Sequence, residues 1–477
     1  MPVSLFILIL YIVALFAISW YAKKRSEGNN ENFALAGRRL SAPLICVTII
    51  GLAVGGASTI GVSEHAFRVG LSAGWYTIAW ALGAIVMGLF MAKKYREQNI
   101  TTITELIERH HTKGAVILGV FCQIVIQLVI ISLQYIAGGS ILHAILPDIF
   151  DFHTGMIVSA ITFIGITFIG GMWSASLSNV LNIILIYVGI LAATIIQFKK
   201  IGSMDHLAAA LPANVPWFSF IDGVGPVTIT SWVVTLITVN LSLQSILQIS
   251  LGAKDAATAK KGFVWGGILM LPVGVLAAFL GLVAKAMYPD AQAALALPQV
   301  IVGLQPVLAG ITLAALWAAD VSTACTILLG AATLFSNDIY KRFINYTVAE
   351  NKFVIINRLS VFAVGLITLW FAFNAAGIVK TMIAGLSMTC GLTCVFFFTM
   401  FAPGLCRRSS AFWTTLVSLI GIALWFVPGS PLAGIKPLFA NEVIYFEWPI
   451  CIITFLLVAM LDKNKIKEVV EVPEKDE

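Results

Sequence analysis

The sequence predicts an all-α polytopic membrane protein, and two observations carry this prediction. Hydrophobic residues make up 59% of the 477 residues and charged residues only 11%, whereas soluble domains carry about a quarter charged residues. Apolar stretches also recur along the chain, and each is long enough to cross a hydrocarbon core of about 30 Å as a helix. The lipid bilayer is therefore the first partner that we predict.

These stretches predict about thirteen transmembrane helices. They fall at 3–21, 43–63, 71–92, 115–145, 153–170, 176–197, 228–250, 262–287, 304–336, 354–374, 381–403, 411–428 and 443–461. The first lacks a small-residue cleavage site, so we expect a retained helix instead of a signal peptide. No polar stretch is long enough for a separate soluble domain.

Lysine and arginine are distributed unevenly between the loops. With the N-terminus outside, the inside segments contain most of them, including Lys23–Arg25, Lys260, Lys261 and Arg407. This orientation satisfies the positive-inside rule, and an odd number of spans then places the C-terminus inside. We expect the protein in a cell membrane of the bacterial inner-membrane type. We therefore attribute the net charge of +6 to the basic residues of the inside loops. Nucleic-acid binding is disfavoured because no basic face with aromatic residues accompanies the charge.

Two polar clusters have ordinary interpretations. Cys390 and Cys394 lie one helical turn apart, which could suggest a thiolate metal pair, but packing between helices is preferred without a His or further Cys nearby. His110 and His111 in TELIERHHTKG are interpreted as a solvated polar turn. No nucleophile elbow, phosphate loop or metalloprotease motif is present, which argues against a membrane enzyme.

The second predicted span is rich in glycine. Its sequence, TIIGLAVGGASTIGVSEHAF, spreads four glycines across the membrane, namely Gly51, Gly55, Gly56 and Gly61. One interpretation is close packing of helices through small residues. The other is a discontinuous helix whose freed carbonyls bind a cation, as in secondary transporters. The residues alone leave both open.

Several motifs together resemble the sodium/solute symporter family, which includes the sodium/proline, pantothenate, galactose and sialic acid carriers. They are NENFALAGRRLSAP, GGASTIGVSEHAFRVGLSAGWY, GGMWSASLSNVLN, SLGAKDAATAKKG and ALWAADVSTACTILLGAATLFSNDIYKRF, and they cover about residues 30–345 in the expected order. The resemblance implies a LeuT-like fold of two inverted five-helix repeats with additional helices at both ends.

The resemblance also implies a division of the chain. We expect an extra N-terminal helix and inside loop (1–42), a first repeat (43–197), an outside loop (198–227), a second repeat (228–403), and two C-terminal helices with a charged inside tail (404–477). The seventh span shows no Gly/Pro break as clear as that of the second. The position of the second unwound helix therefore stays open.

Matching the motifs residue by residue implies a Na⁺ site. Its ligands would be the carbonyls of Gly51, Val54 and Ala319 and the hydroxyls of Ser322 and Thr323. Elementary chemistry agrees, because residues 319, 322 and 323 share one helix face and a hard cation prefers oxygen ligands. Neutral ligands also hold a monovalent ion weakly enough to release it.

Asp320 stands in the middle of this apolar helix. An ionisable residue is costly inside a membrane, so it is a functional candidate by default. Many family members carry an Asp where this chain has Asn179, and we hypothesise that the charge has moved to Asp320, with Asn179 bonded to Asp320 or to the ion. Alternatively, a protonated Asp320 donates one hydrogen bond between helices, or it carries a proton.

The solute is harder to read. Ala57, Ser58, Thr77 and Met270 replace the sugar carrier's Glu, Gln, Glu and Lys, which disfavours a hexose because its hydroxyls need partners. The remaining polar candidates are Ser58, Thr59, Thr77, Gln123, Gln127, Asn240, Gln244 and Lys380, with Trp75, Tyr76 and Trp80 as an aromatic wall. They favour a small amino acid or organic acid.

We therefore predict a secondary active transporter that couples Na⁺ to a small organic solute by alternating access. A proton-coupled carrier on the same fold is the alternative, and Asp320 supports it. A channel is disfavoured because no span shows a repeated polar stripe. No obligate protein partner is evident from the sequence.

Overall fold

The computed structural model describes residues 3–374 and 385–466, and nearly all of its secondary structure is helical. The helices are α1 (Val3–Ser26), α2 (Asn30–Leu35), α3 (Ala42–Ala53), α4 (Val62–Val69), α5 (Trp75–Val86), α6 (Ala92–Glu97), α7 (Ile103–His110), α8 (Lys113–Ile145), α9 (Phe152–Ile201), α10 (Met204–Ala209), α11 (Pro226–Ser242), α12 (Gln244–Leu251), α13 (Ala256–Met287), α14 (Ala293–Val302), α15 (Pro306–Leu334), α16 (Glu350–Asn374), α17 (Thr389–Phe401), α18 (Ser410–Phe426) and α19 (Val443–Leu461). Pairing of extended backbone in these ranges is limited to two isolated bridges, Leu40–Ala253 and Arg407–Lys465.

The prediction of an all-helical, multi-pass membrane protein is confirmed. Within the described residues, eight helices are long and apolar enough to cross a bilayer, and two bent helix pairs raise the number to ten. Two shorter apolar helices, Gly385–Phe401 and Ser410–Phe426, accompany them. The 50-residue α9 contains a non-helical residue, Gly171, with φ 51° and ψ −135°, between the predicted fifth and sixth spans. The count of thirteen stays a prediction.

The first break lies in the glycine-rich segment. α3 ends at Ala53, Val54 leaves the helical region with φ −93° and ψ 70°, and α4 continues at an angle of 61° after a π-helical turn, Ala57–Gly61. A Cβ on Gly55 would lie 2.5 Å from Thr323 Oγ1, and one on Gly56 2.5 Å from Asp320 Oδ1. The glycines therefore mark a discontinuous helix and also let α15 approach it closely.

A second break, which the sequence left open, separates α11 from α12. The chain bends by 53° there, and Leu243 is extended with φ −74° and ψ 127°. Gln123 on α8 holds both sides of the bend: its Nε2 donates to the Ser242 carbonyl at 2.7 Å, and its Oε1 accepts from the Gln244 amide at 3.0 Å. A side chain from another helix thus replaces backbone bonds that the bend removes.

α15 occupies the centre of the molecule. Its most hydrophobic window is 94% buried, and it packs against α1, α3, α8, α9 and α16. Because neighbours surround it on all sides, every residue from Thr312 to Leu334 is buried, the carboxylate of Asp320 included. The polar side chains of α15 must therefore find their partners within the protein.

Two of the family-like motifs meet in a contact (residues 38–40, 96–100 and 250–254) that we call the inner seam, after the side on which the positive-inside rule predicts these segments. Leu40 donates to the Gly252 carbonyl at 2.9 Å and accepts from the Lys254 amide at 3.1 Å. Arg38 Nη2 donates to the Ile100 carbonyl at 2.8 Å. The inner seam thus joins the segment before the first broken helix to the segment after the second.

The prediction of a solvated turn at His110–His111 is wrong. Both residues are buried, and His111, at the end of α7, meets α17 and the segment that follows it. The ring of His111 lies between the Arg407 carbonyl, 3.0 Å from Nδ1, and the Thr399 hydroxyl, 3.3 Å from Nε2. Burial lowers the pKa of His111 to about 4, although its bond to Arg407 opposes the shift.

Candidate sodium and solute site

Four of the five predicted sodium ligands converge where α15 crosses the first break. Ser322 Oγ lies 2.7 Å from the carbonyl oxygens of both Gly51 and Ala319. Thr323 Oγ1 lies 3.0 Å and 3.2 Å from the same two oxygens. The spacing of Ala319, Ser322 and Thr323 along α15 produces this geometry, since it places all three on the face that meets α3.

The fifth predicted ligand, the Val54 carbonyl, lies in the break itself. In an uninterrupted helix this carbonyl would accept from the amide of Ser58. Here that amide donates to the Gly55 carbonyl at 3.0 Å instead. The break therefore releases the Val54 oxygen from regular helix pairing, which is what a backbone ligand requires.

This set of donors fits a monovalent hard cation. All are uncharged oxygens in a buried environment, and two come from hydroxyls that can turn their protons away from an ion. Without an ion, the same hydroxyls donate to the same carbonyls, so the cluster is satisfied in both conditions. Such a site can load and release Na⁺ as cargo without leaving a buried polar group unpaired.

Asp320 contacts the broken helix and not the four-oxygen cluster. Its Oδ1 accepts from the Gly56 amide at 2.8 Å, while its Oδ2 has no hydrogen-bond partner among the described residues. Gly56 begins the second half of the broken helix, whose N-terminus carries partial positive charge. The carboxylate therefore caps the half-helix next to the proposed ion position.

Asn179 lies on the opposite wall, against Gly51. A Cβ on Gly51 would lie 2.6 Å from Asn179 Nδ2, and Asn179 Oδ1 accepts from Asn182 at 3.3 Å. The Nδ2 group is buried without a hydrogen-bond partner in the described part of the chain. The hypothesised bond between Asn179 and Asp320 is therefore wrong in this structure, whereas a role of Asn179 beside the ion stays a prediction.

Three of the solute candidates are bonded within the first break. Ser58 Oγ donates to the Ala53 carbonyl at 2.7 Å, Thr59 Oγ1 to the Gly55 carbonyl at 3.2 Å, and Thr77 Oγ1 to the Ser58 carbonyl at 3.2 Å. These hydroxyls fix the irregular backbone, which is an ordinary role for Ser and Thr in membrane helices.

In Gln127 and Asn240, the side-chain amide nitrogen is hydrogen-bonded and the side-chain oxygen is not. Gln127 Nε2 donates to the Gln123 carbonyl at 3.3 Å and Asn240 Nδ2 to the Leu236 carbonyl at 2.8 Å. Their side-chain carbonyl oxygens are buried and have no partner in the ranges that the structure covers. A bound solute with hydrogen-bond donors would satisfy them.

Gln244 has both ends of its amide bonded to the backbone. Gln244 Oε1 accepts from the Ile103 amide at 2.8 Å, and its Nε2 donates to the Thr101 carbonyl at 3.3 Å, so its amide ties the second break to the segment that leads into α7. Lys380 lies outside the described residues, between the two described ranges.

The aromatic wall differs in part from the expected set. Tyr76 packs edge-on against Trp232 of α11 with ring centroids 5.9 Å apart, and His65 of α4 lies 5.7 Å from the same ring. Trp75 instead donates to the Phe220 carbonyl in the loop before α11. The sequence analysis missed Trp232 and His65 because nothing local relates these three helices to one another.

Gln134 is a further buried residue that was missed. Its Oε1 lies 3.0 Å from where a Gly55 Cβ would stand and has no partner in residues 3–374 or 385–466. A signal was present: Gln123, Gln127 and Gln134 recur at helical spacing on α8, so one face of that helix carries three amides.

The first break lies against a buried set of oxygens on α15, and discontinuous helices of this kind are typical of secondary transporters. The chain belongs to the sodium:solute symporter family, whose sequence model matches residues 33–418. This places it among sodium-coupled symporters and not among enzymes, and it implies a small organic solute.

Individual relatives agree with this assignment. Sodium/proline symporters of Staphylococcus aureus, from strains bovine RF122 / ET3-1 and JH9, are 22% identical over 494 residues, covering 96% of this chain and 95% of theirs. A Na⁺-coupled sialic acid symporter in its substrate-bound outward-open state has the same fold, with a TM-score of 0.82, 17% identity and coverage of 98% and 99%. A nucleobase-cation-symport-1 family transporter aligns with a TM-score of 0.61, 13% identity and coverage of 89% and 92%.

Proposed function

We propose that the protein carries one Na⁺ and a small amino acid or organic acid into the cell together, by alternating access. The convergence of Gly51, Ala319, Ser322 and Thr323 carries the sodium part of this proposal. The ion would stabilise the conformation in which α15 contacts the break, and loss of the ion would free the two elements to separate. Ion binding would thereby be coupled to the exposure of the solute site.

The driving force is sufficient for active uptake. One charge that moves through 100 mV supplies about 2.3 kcal/mol, and a tenfold sodium gradient adds about 1.4 kcal/mol. Because each 1.4 kcal/mol is a factor of ten, one ion could concentrate a solute on the order of several hundredfold.

Two observations support a small amino acid as the solute. The side-chain oxygens of Asn240 and Gln127 are acceptors without a partner among the described residues. An ammonium group supplies hydrogen-bond donors for such oxygens. The name sodium/proline symporter of the relatives points to the same class. A carboxylate would in addition be attracted to Na⁺. A hexose supplies no charge for these groups.

Solute counterflow in proteoliposomes tests the coupling ion. Vesicles loaded with an unlabelled amino acid should accumulate the labelled compound when Na⁺ is present on both sides and should fail to do so when choline replaces it. Counterflow that depends on pH and is independent of Na⁺ would instead establish the proton-coupled alternative, which the buried Asp320 supports.

The remaining parts of the proposal concern topology. We place the protein in the cell membrane with the N-terminus outside and the C-terminus inside, since that orientation leaves the basic loops inside. The repeats would run over 43–197 and 228–403. The two breaks support this division, because each lies in the first helix of its repeat.

A further inference from the structure

Four of the seven cysteines gather in one buried cluster among the last helices. Cys390 and Cys394 lie on α17, Cys406 follows that helix, and Cys451 lies on α19. The sequence predicts packing for Cys390 and Cys394 because no histidine or further cysteine is near them along the chain. The fold removes that reason, since it brings Cys451 to Cys390 across 61 residues of sequence.

Three side chains of this cluster have the geometry of a metal-binding group. The sulfur atoms of Cys390 and Cys451 and a carboxylate oxygen of Glu447 all lie within 4.8 Å of one another. Glu447 and Cys451 are one turn apart on α19, so they share a face. That face is turned towards α17, and the Cys451 thiol donates to Glu447 Oε2 at 3.9 Å.

Glu447 is the second, independent sign of a ligand. The residue is 0% exposed, its Oε2 accepts from Ser418 at 2.6 Å, and its Oε1 has no hydrogen-bond partner in the described chain. No salt bridge of the described residues includes it. A buried carboxylate without a cationic partner is costly, and a metal ion would supply the missing charge.

We propose that Cys390, Cys451 and Glu447 bind a zinc ion. Two sulfurs and one carboxylate suit Zn²⁺, whereas Mg²⁺ and Ca²⁺ take oxygen ligands. Both thiols lose their protons on binding, so two thiolates and one carboxylate face two positive charges. Cys394, one turn beyond Cys390, is the nearest candidate for a fourth ligand on α17.

The zinc site is structural and separate from transport. Its ligands lie on α17 and α19, whereas the proposed sodium ligands lie on α3 and α15. Zinc would join α19 to α17. α17 in turn supports the second break, because the Thr393 hydroxyl donates to the Ser242 hydroxyl at 2.6 Å. Zinc would therefore hold α17 against α19 during the conformational cycle.

Metal content and cobalt spectroscopy test the zinc site. The full-length protein is expressed with added zinc and purified with a reducing agent that does not chelate metal, and zinc is measured by mass spectrometry. We expect about one ion per chain. Co²⁺ in place of zinc should give a thiolate-to-metal charge-transfer band, which a site without cysteine ligands cannot produce.

Variants assign the ligands. Cys451→Ser and Cys390→Ser should each lose the zinc and the cobalt band, and Glu447→Gln, which keeps both thiols, should bind zinc about tenfold more weakly or worse. Cys122→Ser is the matched control, because Cys122 is equally buried on α8, and it should keep both signals. Thermal unfolding of each variant shows which ones are folded.

Three results would overturn the proposal: folded wild-type protein without zinc or a cobalt band, zinc that survives both cysteine substitutions, or a Cys390–Cys451 disulfide in the reduced preparation. If a cysteine variant does not fold, Glu447→Gln decides, because unchanged zinc affinity in that variant excludes the carboxylate as a ligand.

Discussion

At the scale of single residues, the hydroxyl of Thr323 gives the sharpest test of the sodium site. Its Oγ1 lies 3.0 Å from the Gly51 carbonyl, and Thr323→Ala removes one oxygen ligand while keeping the helix. We expect the sodium concentration for half-maximal transport to rise at least severalfold, measured as sodium-dependent uptake in proteoliposomes.

Thr326→Ala is the matched control for that variant. Thr326 is buried on the same helix, but its hydroxyl donates to the Ser322 carbonyl at 2.9 Å within α15 and does not reach the break. Its sodium dependence should stay that of the wild type. Unchanged sodium dependence in Thr323→Ala as well would remove Thr323 from the ligand set.

Asp320→Asn separates the charge of Asp320 from its shape. The amide can keep the bond from the Gly56 amide through its oxygen, so the cap on the half-helix is retained and only the negative charge is lost. If that charge stabilises the ion, sodium activation should weaken about tenfold, which corresponds to about 1.4 kcal/mol. Asn179→Asp in the same chain should restore part of the loss, because Asn179 contacts Gly51.

The other outcomes of that experiment identify the alternatives. Near-normal sodium activation in Asp320→Asn would show that Asp320 serves only as a hydrogen-bonding group between helices. Loss of the pH dependence of transport with intact sodium activation would show that Asp320 carries a proton.

His111 predicts how stability depends on pH. Burial lowers its pKa from 6.5 to about 4, so the folded protein resists a proton that the unfolded chain accepts. The stabilisation is therefore complete above pH 6.5 and is lost as the pH falls towards 4, by about 3 kcal/mol at about 1.4 kcal/mol per pKa unit. His111→Asn should flatten this part of the pH profile, measured by thermal unfolding in detergent.

A second histidine controls for general acid effects. His206 is exposed on α10, and His206→Asn should leave the profile between pH 6.5 and 4 unchanged. An unaltered profile in His111→Asn would contradict the assignment of this pH dependence to the buried ring.

At the scale of helices and segments, the inner seam should act as a closure. Arg38 donates to the Ile100 carbonyl at 2.8 Å and to the Leu251 carbonyl at 3.3 Å, and it pairs with Glu31. Arg38→Ala removes these contacts together and should favour the inward-open state. A cysteine placed at buried Ser250 should then react severalfold faster with a thiol reagent added from the inside.

The neighbouring Arg39 provides the control for the inner seam. Arg39→Ala removes a similar charge three residues before α3, yet no hydrogen bond or salt bridge of its side chain occurs among the described contacts. Labelling of the Ser250→Cys protein should be unaffected by it. Equal effects of the two substitutions would show that local charge, and not the seam, controls access.

The two breaks show how much of each element the sequence could predict. The first break has a local signal in its glycines, which left close helix packing and a discontinuous helix both open, and the structure shows both because the glycines also allow the close approach of α15. The second was not readable, since Leu243 has ordinary neighbours and the bend is held by Gln123, about 120 residues earlier. A bend that depends on a distant side chain leaves no local signal.

At the scale of the whole molecule, composition and the recurring apolar stretches were enough to predict an all-helical, multi-pass membrane protein, whereas the LeuT-like fold was implied by the resemblance to the family. These features follow from the bilayer, in which every backbone polar group of a spanning segment must be hydrogen-bonded within the protein. The buried contacts of His111 and the meeting of Cys451 with Cys390 were not readable, because each joins helices that are far apart in the chain. The resemblance to the family implied one wall of the proposed sodium site on α15, and the i, i+3, i+4 spacing agreed with it, but how the broken backbone opposite meets that wall required the fold.

Binding of sodium and solute should stabilise the molecule as a unit. A ligand at 100 times its dissociation constant stabilises by about 2.7 kcal/mol, so small amino acids, proline among them, should raise the unfolding temperature in saturating Na⁺ and do so less in choline.

Asn240→Ala should lose most of this shift, because it removes a buried acceptor without another partner. Gln197→Ala removes a similar buried amide near the C-terminal end of α9, which donates to the Val300 carbonyl of α14, and it should keep the shift. Stabilisation by hexoses alone would refute the proposed solute class, and an equal shift in Na⁺ and choline would refute the coupling of the two sites.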